Sequence, residues 1–316
     1  MEAQVKPRNR KAEVKRAKAK LAGRVSDLAA ARHDGSLGDD HIKLAQVLIM
    51  CSLPHSQTDK QQIVRKARLG NGTYLTVTFT SMLNGVPLPF GRDRKLLAWI
   101  FDRAIRSDSP FVGWSAANEY QREMGLPEGG RSNKQLQERF QRIAGLGIAI
   151  ERERDGITET TGYKVLAQSR LPRSISGRTI DANQRALPGM EEGLGIRLTA
   201  ELFTDIRRHN YALPRLLWQT LTGPSQVQDI ALWLFVRCHA AASETVIPWA
   251  ALQDQFGAED SNPWRIKARA REAIKVLGTL WPETSIVEEA EGIRVRKADA
   301  PLLADDPQKK RVRRLN

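Results

Sequence analysis

Two stretches of this chain gather side chains suited to gripping a polyanion. One holds Arg131, Asn133, Lys134, Gln135 and Arg142; the other holds Asn262, Arg265, Lys267, Arg269, Arg271 and Lys275. In each, apolar residues recur at helical spacing: Leu136, Phe140 and Ile143 in the first, and Ile266, Ala270, Ala273, Ile274 and Leu277 in the second. Such a stripe faces a core and leaves the cations on the opposite face. A guanidinium fork matches the edge of guanine and an Asn or Gln amide that of adenine, so these types at the start of a helix suit a DNA major groove. A strand pair follows each helix and carries Arg152 and Arg154, or Arg294, Arg296 and Lys297. Cations there would touch phosphates, which positions a protein without reading sequence.

Other chemistries lack their residues. A phosphate-cradling P-loop needs Gly-Lys-Ser/Thr after a glycine-rich turn, and the chain has none; Gly145-Leu146-Gly147 and Gly193-Leu194-Gly195 read as turns. His33, His41, His55, His209 and His239 are scattered, without the paired spacing of a nicking enzyme's metal site. Cys51 near His55 and Cys238 beside His239 lack the second pair that zinc requires. Asp39-Asp40 and Asp305-Asp306 are adjacent, so they do not converge on one helix face. The expectation is a protein that is not an enzyme and holds no metal or cofactor.

The elements that must position the two basic helices repeat. Leu96-Leu97-Ala98-Trp99-Ile100-Phe101 is followed by Phe111-Val112-Gly113-Trp114 and Met124-Gly125. Ile230-Ala231-Leu232-Trp233-Leu234-Phe235 is followed by Val246-Ile247-Pro248-Trp249 and Phe256-Gly257. The Trp-to-Trp spacings are 15 and 16 residues, which points to a diverged duplication. Each copy reads as an apolar helix (92–106; 226–241), a short strand ending at Trp114 or Trp249, and a helix ended by Gly125 or Gly257 in the left-handed conformation. The basic helix (131–144; 262–278) and the hairpin complete it. The first hairpin turns at Asp155-Gly156 and returns through Ile157 to Leu166; the second turns near Glu291-Gly292. Tyr74–Phe79 alternates as a strand, with Gly195–Leu198 as its counterpart. Trp99, Trp114, Trp233 and Trp249 are assigned to cores, while Trp264 could staple its helix or lie against a sugar.

The predicted fold is therefore α+β: two tandem winged-helix (helix-turn-helix) domains, mainly helical with small antiparallel sheets. Residues 1–36 form a basic arm, loosely helical or disordered; 37–170 the N-terminal domain; 171–193 a linker; 194–298 the C-terminal domain; 299–316 a basic tail.

Composition supports this. Among 316 residues, 50 Lys+Arg against 36 Asp+Glu leave a charge of +14, while 41% hydrophobic residues suffice for real cores. A cationic folded body attracts nucleic acid or an acidic membrane surface. The longest apolar run, Ile230–Val236, is far short of the about 20 residues a spanning helix needs. With two cysteines and no signal-like segment, the expected setting is a reducing cytoplasm.

The chain also resembles the RepA-type, iteron-binding plasmid replication initiators. The match runs through Leu53-Pro54-His55, Gly72-Thr73-Tyr74-Leu75, Gly85-Val86-Pro87-Leu88-Pro89-Phe90-Gly91 and Leu96-Leu97-Ala98-Trp99-Ile100. It resumes at Asp229-Ile230-Ala231-Leu232-Trp233-Leu234 with Arg237 and His239, at Trp249–Gly257, and at Trp281-Pro282. It departs from the family pattern at Ala231, where an aromatic is usual, and at Arg92-Asp93-Arg94, where a proline precedes the arginine. The resemblance implies binding to repeated sites in a plasmid origin, local opening of the duplex, and the host initiator and replicative helicase as partners. Monomer and homodimer both stand as active forms.

Overall fold

The computed structural model describes residues 10–34, 40–69, 72–113, 119–124, 126–127, 129–170, 195–241, 243–257, 263–282 and 285–296. The chain runs α1 (Arg10–His33), β1 (His41–Ala45), α2 (Gln46–Met50), β2 (Gln62–Arg68), β3 (Tyr74–Ser81), α3 (Asp93–Arg106), β4 (Phe111–Gly113), α4 (Glu119–Glu123) and α5 (Gly130–Ala144). It continues β5 (Leu146–Arg154), β6 (Ile157–Lys164), β7 (Leu166–Arg170), β8 (Gly195–Leu198), α6 (Ala200–Arg208), β9 (Asn210–Pro214), α7 (Arg215–Thr220) and α8 (Ser225–Ala240). It ends β10 (Thr245–Pro248), α9 (Trp249–Phe256), α10 (Pro263–Leu280), β11 (Ile286–Glu288) and β12 (Gly292–Val295). Helices and small antiparallel sheets are mixed, as expected. The proposed linker, the C-terminal tail, Trp114, Gly125, Asn262 and Lys297 lie outside the described residues.

The apolar stripes do what their spacing predicts. Leu136, Phe140 and Ile143 of α5 are buried, as are Ile266, Ala270, Ala273 and Leu277 of α10. The duplication is visible in the core: Trp99 of α3 meets Tyr120 of α4 edge-on at 5.4 Å and 67°, and Trp233 of α8 meets Phe256 of α9 at 5.4 Å and 65°. Aromatic pairs favour this T-shaped geometry because ring edges are positive and faces negative. Trp249 is only half-buried, its indole N–H donating to the Ala290 carbonyl at 3.1 Å.

The sheets depart from the expected plan. In the second copy β10 pairs with β12, which pairs with β11, closing a three-stranded sheet around α8, α9 and α10. In the first, β5 and β6 belong instead to a four-stranded sheet ordered β2-β3-β5-β6. Asp155 (φ 53°) and Gly156 (φ 78°) both lie in the left-handed region, the turn that suits a twisted two-residue hairpin. The return strand ends at Lys164, and from Leu166 the chain enters another sheet, ordered β4-β8-β7. Gly195–Leu198 is therefore no counterpart of Tyr74–Phe79: it pairs with β4, Phe111 opposite Arg197, and with β7. Likewise β1 pairs with β9, Ile42 opposite Leu213. Strands from either side of residues 171–193 thus share two sheets.

Two local expectations need correction. Gly257 ends α9 at φ −57° and ψ 147°, which is not left-handed. Glycine is required there because a Cβ would meet the Gln253 carbonyl at 2.3 Å. The N-terminal arm is also more structured than its scarcity of apolar residues suggested. α1 docks through Leu28, which is 1% exposed, and through Arg24, which donates to the Gln219 carbonyl at 2.9 Å. The Arg32 guanidinium covers the Trp281 ring at 4.2 Å and Val25 packs beside Leu28, so a short apolar contact is supplemented by two arginines.

Two buried carboxylates on α3 anchor its surroundings. Asp102 accepts the Lys43 amide at 2.7 Å, Arg106 at 3.1 Å and Arg215 at 2.8 Å, joining α3 to β1 and α7. Asp93, 1% exposed, accepts the Phe90 amide at 3.0 Å and both Arg142 nitrogens at 2.6 and 3.1 Å. Removing one partner of a buried pair leaves the other's charge uncompensated. Asp93→Ala is expected to lower unfolding free energy by about 3 kcal/mol in urea titration, whereas Arg154→Ala, an exposed pair with Asp155, changes it by under about 0.5 kcal/mol.

Candidate nucleic-acid interface

Burial and ion pairing sort the basic residues. On α5, Arg131, Lys134 and Gln135 are exposed and Asn133 is half-buried. Arg142 does not face outward with them: it is clamped on Asp93 and lies 4.6 Å over the Phe90 ring. Its place one residue before Ile143, on the flank of the apolar stripe, lets it reach the buried carboxylate at the start of α3. Arg152 is likewise turned inward, to Asp205 of α6 at 3.0 Å. These two positions hold the fold, while Arg154 stays exposed at the hairpin tip.

On α10, Arg265, Arg271 and Lys275 are exposed. The Lys267 ammonium sits 5.2 Å from the Trp249 ring centre and 5.5 Å from that of Trp264. Trp264 itself is 75% exposed, in the helix's first turn. The remaining cations have nearby acids. Arg269 pairs with Glu272 at 2.8 Å, and Arg271 grips Glu288 of β11 through both Nε and Nη2 at 2.7–2.9 Å. This holds the Glu288 carboxyl below its ordinary range. Arg294 reaches Glu244 at 3.1 Å and also Glu289, and Arg296 pairs with Glu244. The C-terminal hairpin therefore carries its own counter-charges. Exposed pairs of this kind are each worth about 0–1 kcal/mol, so a phosphate can displace the acid.

Between α5 and α10 lies a cleft that the sequence reading did not anticipate. Arg139 of α5 and Arg265 and Arg269 of α10 line it, with Arg24, Arg92 and Lys95. A signal existed: Arg92, Arg94 and Lys95 crowd the start of α3, where the helix dipole disfavours cations. Arg94 explains one of them. It donates to the Leu53 and Pro54 carbonyls at 3.1 and 3.2 Å, to Ser225 at 2.9 Å, and to the Asp229 carboxylate. Burial raises the Asp229 carboxyl to about 6, against the opposing pull of Arg94. His55 completes the knot, with Nδ1 3.2 Å from Arg94 and Nε2 3.0 Å from the Phe256 carbonyl. Arg94 can only donate and the carbonyl can only accept, so the ring is neutral with its proton on Nε2.

Among the described residues no His, Cys, Asp and Glu cluster could hold a metal, and no helix is long and apolar enough to cross a membrane. Cys51 and Cys238 are free and buried, the latter pushed up to about 12 by burial.

No family model and no curated protein matches the chain. Among solved structures, it is similar to a crystal structure of domains 2–3 of RctB, at 10% identity and a TM-score of 0.44, covering 79% of this chain and 94% of that one. A selenomethionine form of the same two domains is similar at 10% identity and a TM-score of 0.48, covering 81% of this chain and 97% of that one.

Two outcomes follow from the ion pairs and the histidine. Glu288→Gln releases Arg271 and removes a negative charge; if α10 lies against a duplex, affinity measured by fluorescence anisotropy should rise several-fold, and an unchanged value would mean Arg271 does not meet DNA. For His55, burial first and then Arg94 hold the ring well below its ordinary 6.5. A depressed histidine contributes stability that is present above about 6.5 and lost as pH falls. Denaturation midpoints of His55→Gln should therefore fall less steeply between about pH 6.5 and 4.5 than those of the unsubstituted protein.

Proposed function

We propose that this chain is a double-stranded DNA-binding protein that initiates plasmid replication without catalysing a reaction. In this reading, α3-β4-α4-α5-β5-β6 and α8-β10-α9-α10-β11-β12 are two winged-helix units. α5 and α10 enter successive major grooves of one origin repeat. The observation that carries the reading is their shared design: each buries an apolar stripe, presents cations outward, and occupies the same place in a repeated order of elements.

On α5, Arg131, Lys134 and Gln135 are the base-edge candidates; on α10 it is Arg265, with Trp264 beside a sugar and Lys275 further along toward the phosphates. Arg271, Arg294, Arg296 and Arg154 would exchange their carboxylates for phosphates. Two readers on one chain permit bending, which favours opening at easily deformed steps. The resemblance to RepA-type initiators supports the plasmid origin as the target, a cytoplasmic setting, and docking of the host initiator and replicative helicase.

Footprinting on DNA flanking the gene should reveal repeated protected sites, and a plasmid carrying gene and repeats should replicate when its other origin is disabled. Arg131→Ala and Arg265→Ala should each relax preference at particular base pairs by about 1–3 kcal/mol. If the complex neutralises roughly 6–10 phosphates, affinity should fall by about 10³–10⁵ between about 50 and 200 mM salt. Binding indifferent to salt would sink the two-reader arrangement.

A further inference from the structure

The cleft between α5 and α10 is a cavity of about 580 Å³, within the usual range for small-molecule sites. Its charge is one-sided: seven arginine and lysine residues line it, and no aspartate or glutamate does. Arg94 is spent on Asp229, Arg139 lies 3.6 Å from Asp93, and Arg269 pairs with Glu272. Arg24, Arg92 and Lys95 form no ion pair with a carboxylate among the described residues, although Asp229 acts on Lys95 from a distance. Arg24 donates to the Gln219 carbonyl, and Lys95 donates to the Leu221 carbonyl at 3.0 Å with the Trp218 ring 5.5 Å away. Arg92 stands exposed at the mouth, with no carboxylate partner among the described residues.

The backbone adds to the same sign. The first turns of α3 and α8, helices of 14 and 16 residues, both border the cavity, at Arg92 and Lys95 and at Ser225 and Gln226. Helix starts carry partial positive charge, the general basis of phosphate binding, which at α3 is partly met by the Asp93 carboxylate and by the Asp93 and Lys95 amides bonding the Phe90 and Arg92 carbonyls. Tyr120, Met124 and Leu126 supply an apolar wall on one side.

We propose that this cavity is a phosphoanion-binding site, built by the starts of α3 and α8 and by Arg24, Arg92 and Lys95. Holding Arg24, Arg92 and Lys95 side by side with no carboxylate paired to them costs stability, and a phosphate group is the chemistry that offsets it. Burial, then Arg24 and Arg92, push the Lys95 ammonium down to about 8, as expected for a positive charge held in a positive field. The phosphate can come from a free polyphosphate of nucleotide size or from the backbone of a duplex laid across α5 and α10. The site itself does not depend on the DNA-reading assignment.

The test is titration calorimetry of the full chain with pyrophosphate and with a nucleoside triphosphate, at fixed ionic strength, against sulfate as a control. One saturable site is expected, weakened at least tenfold in Lys95→Met and in Arg92→Ala. The second variant lies at the exposed mouth and keeps the test valid if the first fails to fold. A duplex-binding assay on the same variants separates the sources. Duplex affinity that falls with pyrophosphate affinity, and is competed by pyrophosphate, assigns the site to backbone phosphates; unchanged duplex affinity assigns it to a free ligand. Absence of saturable pyrophosphate binding, or binding that both folded variants retain, overturns the proposal.

Discussion

The Arg94 guanidinium is the point on which the arrangement turns. From the start of α3 it binds two carbonyls of the Leu53–Pro54 segment, one at the start of α8, and the Asp229 carboxylate one turn into α8. The two apolar helices of the repeated unit are thereby held start to start. Their shared origin sets where α5 and α10 stand, because each basic helix packs on its own apolar helix. Burial of this pair has a cost, visible in the raised Asp229 carboxyl, and it is the surrounding carbonyls that make the ion pair tolerable.

Charge on this protein is arranged in three ways. Some cations are structural and turned inward, as Arg142 and Arg152 are. Others stand outward with a carboxylate alongside, the condition of Arg271, Arg294 and Arg296. A third group, Arg24, Arg92 and Lys95, collects where acids are missing. The bulk charge of +14 distinguishes none of these. The second group and, of the third, the exposed Arg92 can change partners without disturbing a core.

What was legible in the sequence follows from the range of the forces involved. Apolar spacing is local, so the stripes of α5 and α10, the Asp155-Gly156 turn and the paired tryptophans of α3 and α8 could be read directly. Arginine partners were not legible, since Asp205 lies 53 residues from Arg152 and Glu244 lies 52 from Arg296. The strand exchange was hidden for a similar reason. β4 and β8 are three and four residues long, and segments so short take whichever edge tertiary packing offers. The first copy kept the order of elements of the second while giving its hairpin to a different sheet. The docking of α1 was not legible, because it rests on Leu28, Val25 and the stems of Arg24 and Arg32, which hydrophobic periodicity does not register.

The sharing of strands across residues 171–193 bears on how such a chain can change over time. β4 and β7 need β8, and β1 needs β9, so neither copy presents finished sheet edges by itself. The two similar runs of elements are in this way joined through shared sheets. Recombination that swapped either half for a relative's would have to carry matching edge strands with it, whereas substitutions on the outer faces of α5 and α10 remain free of that coupling.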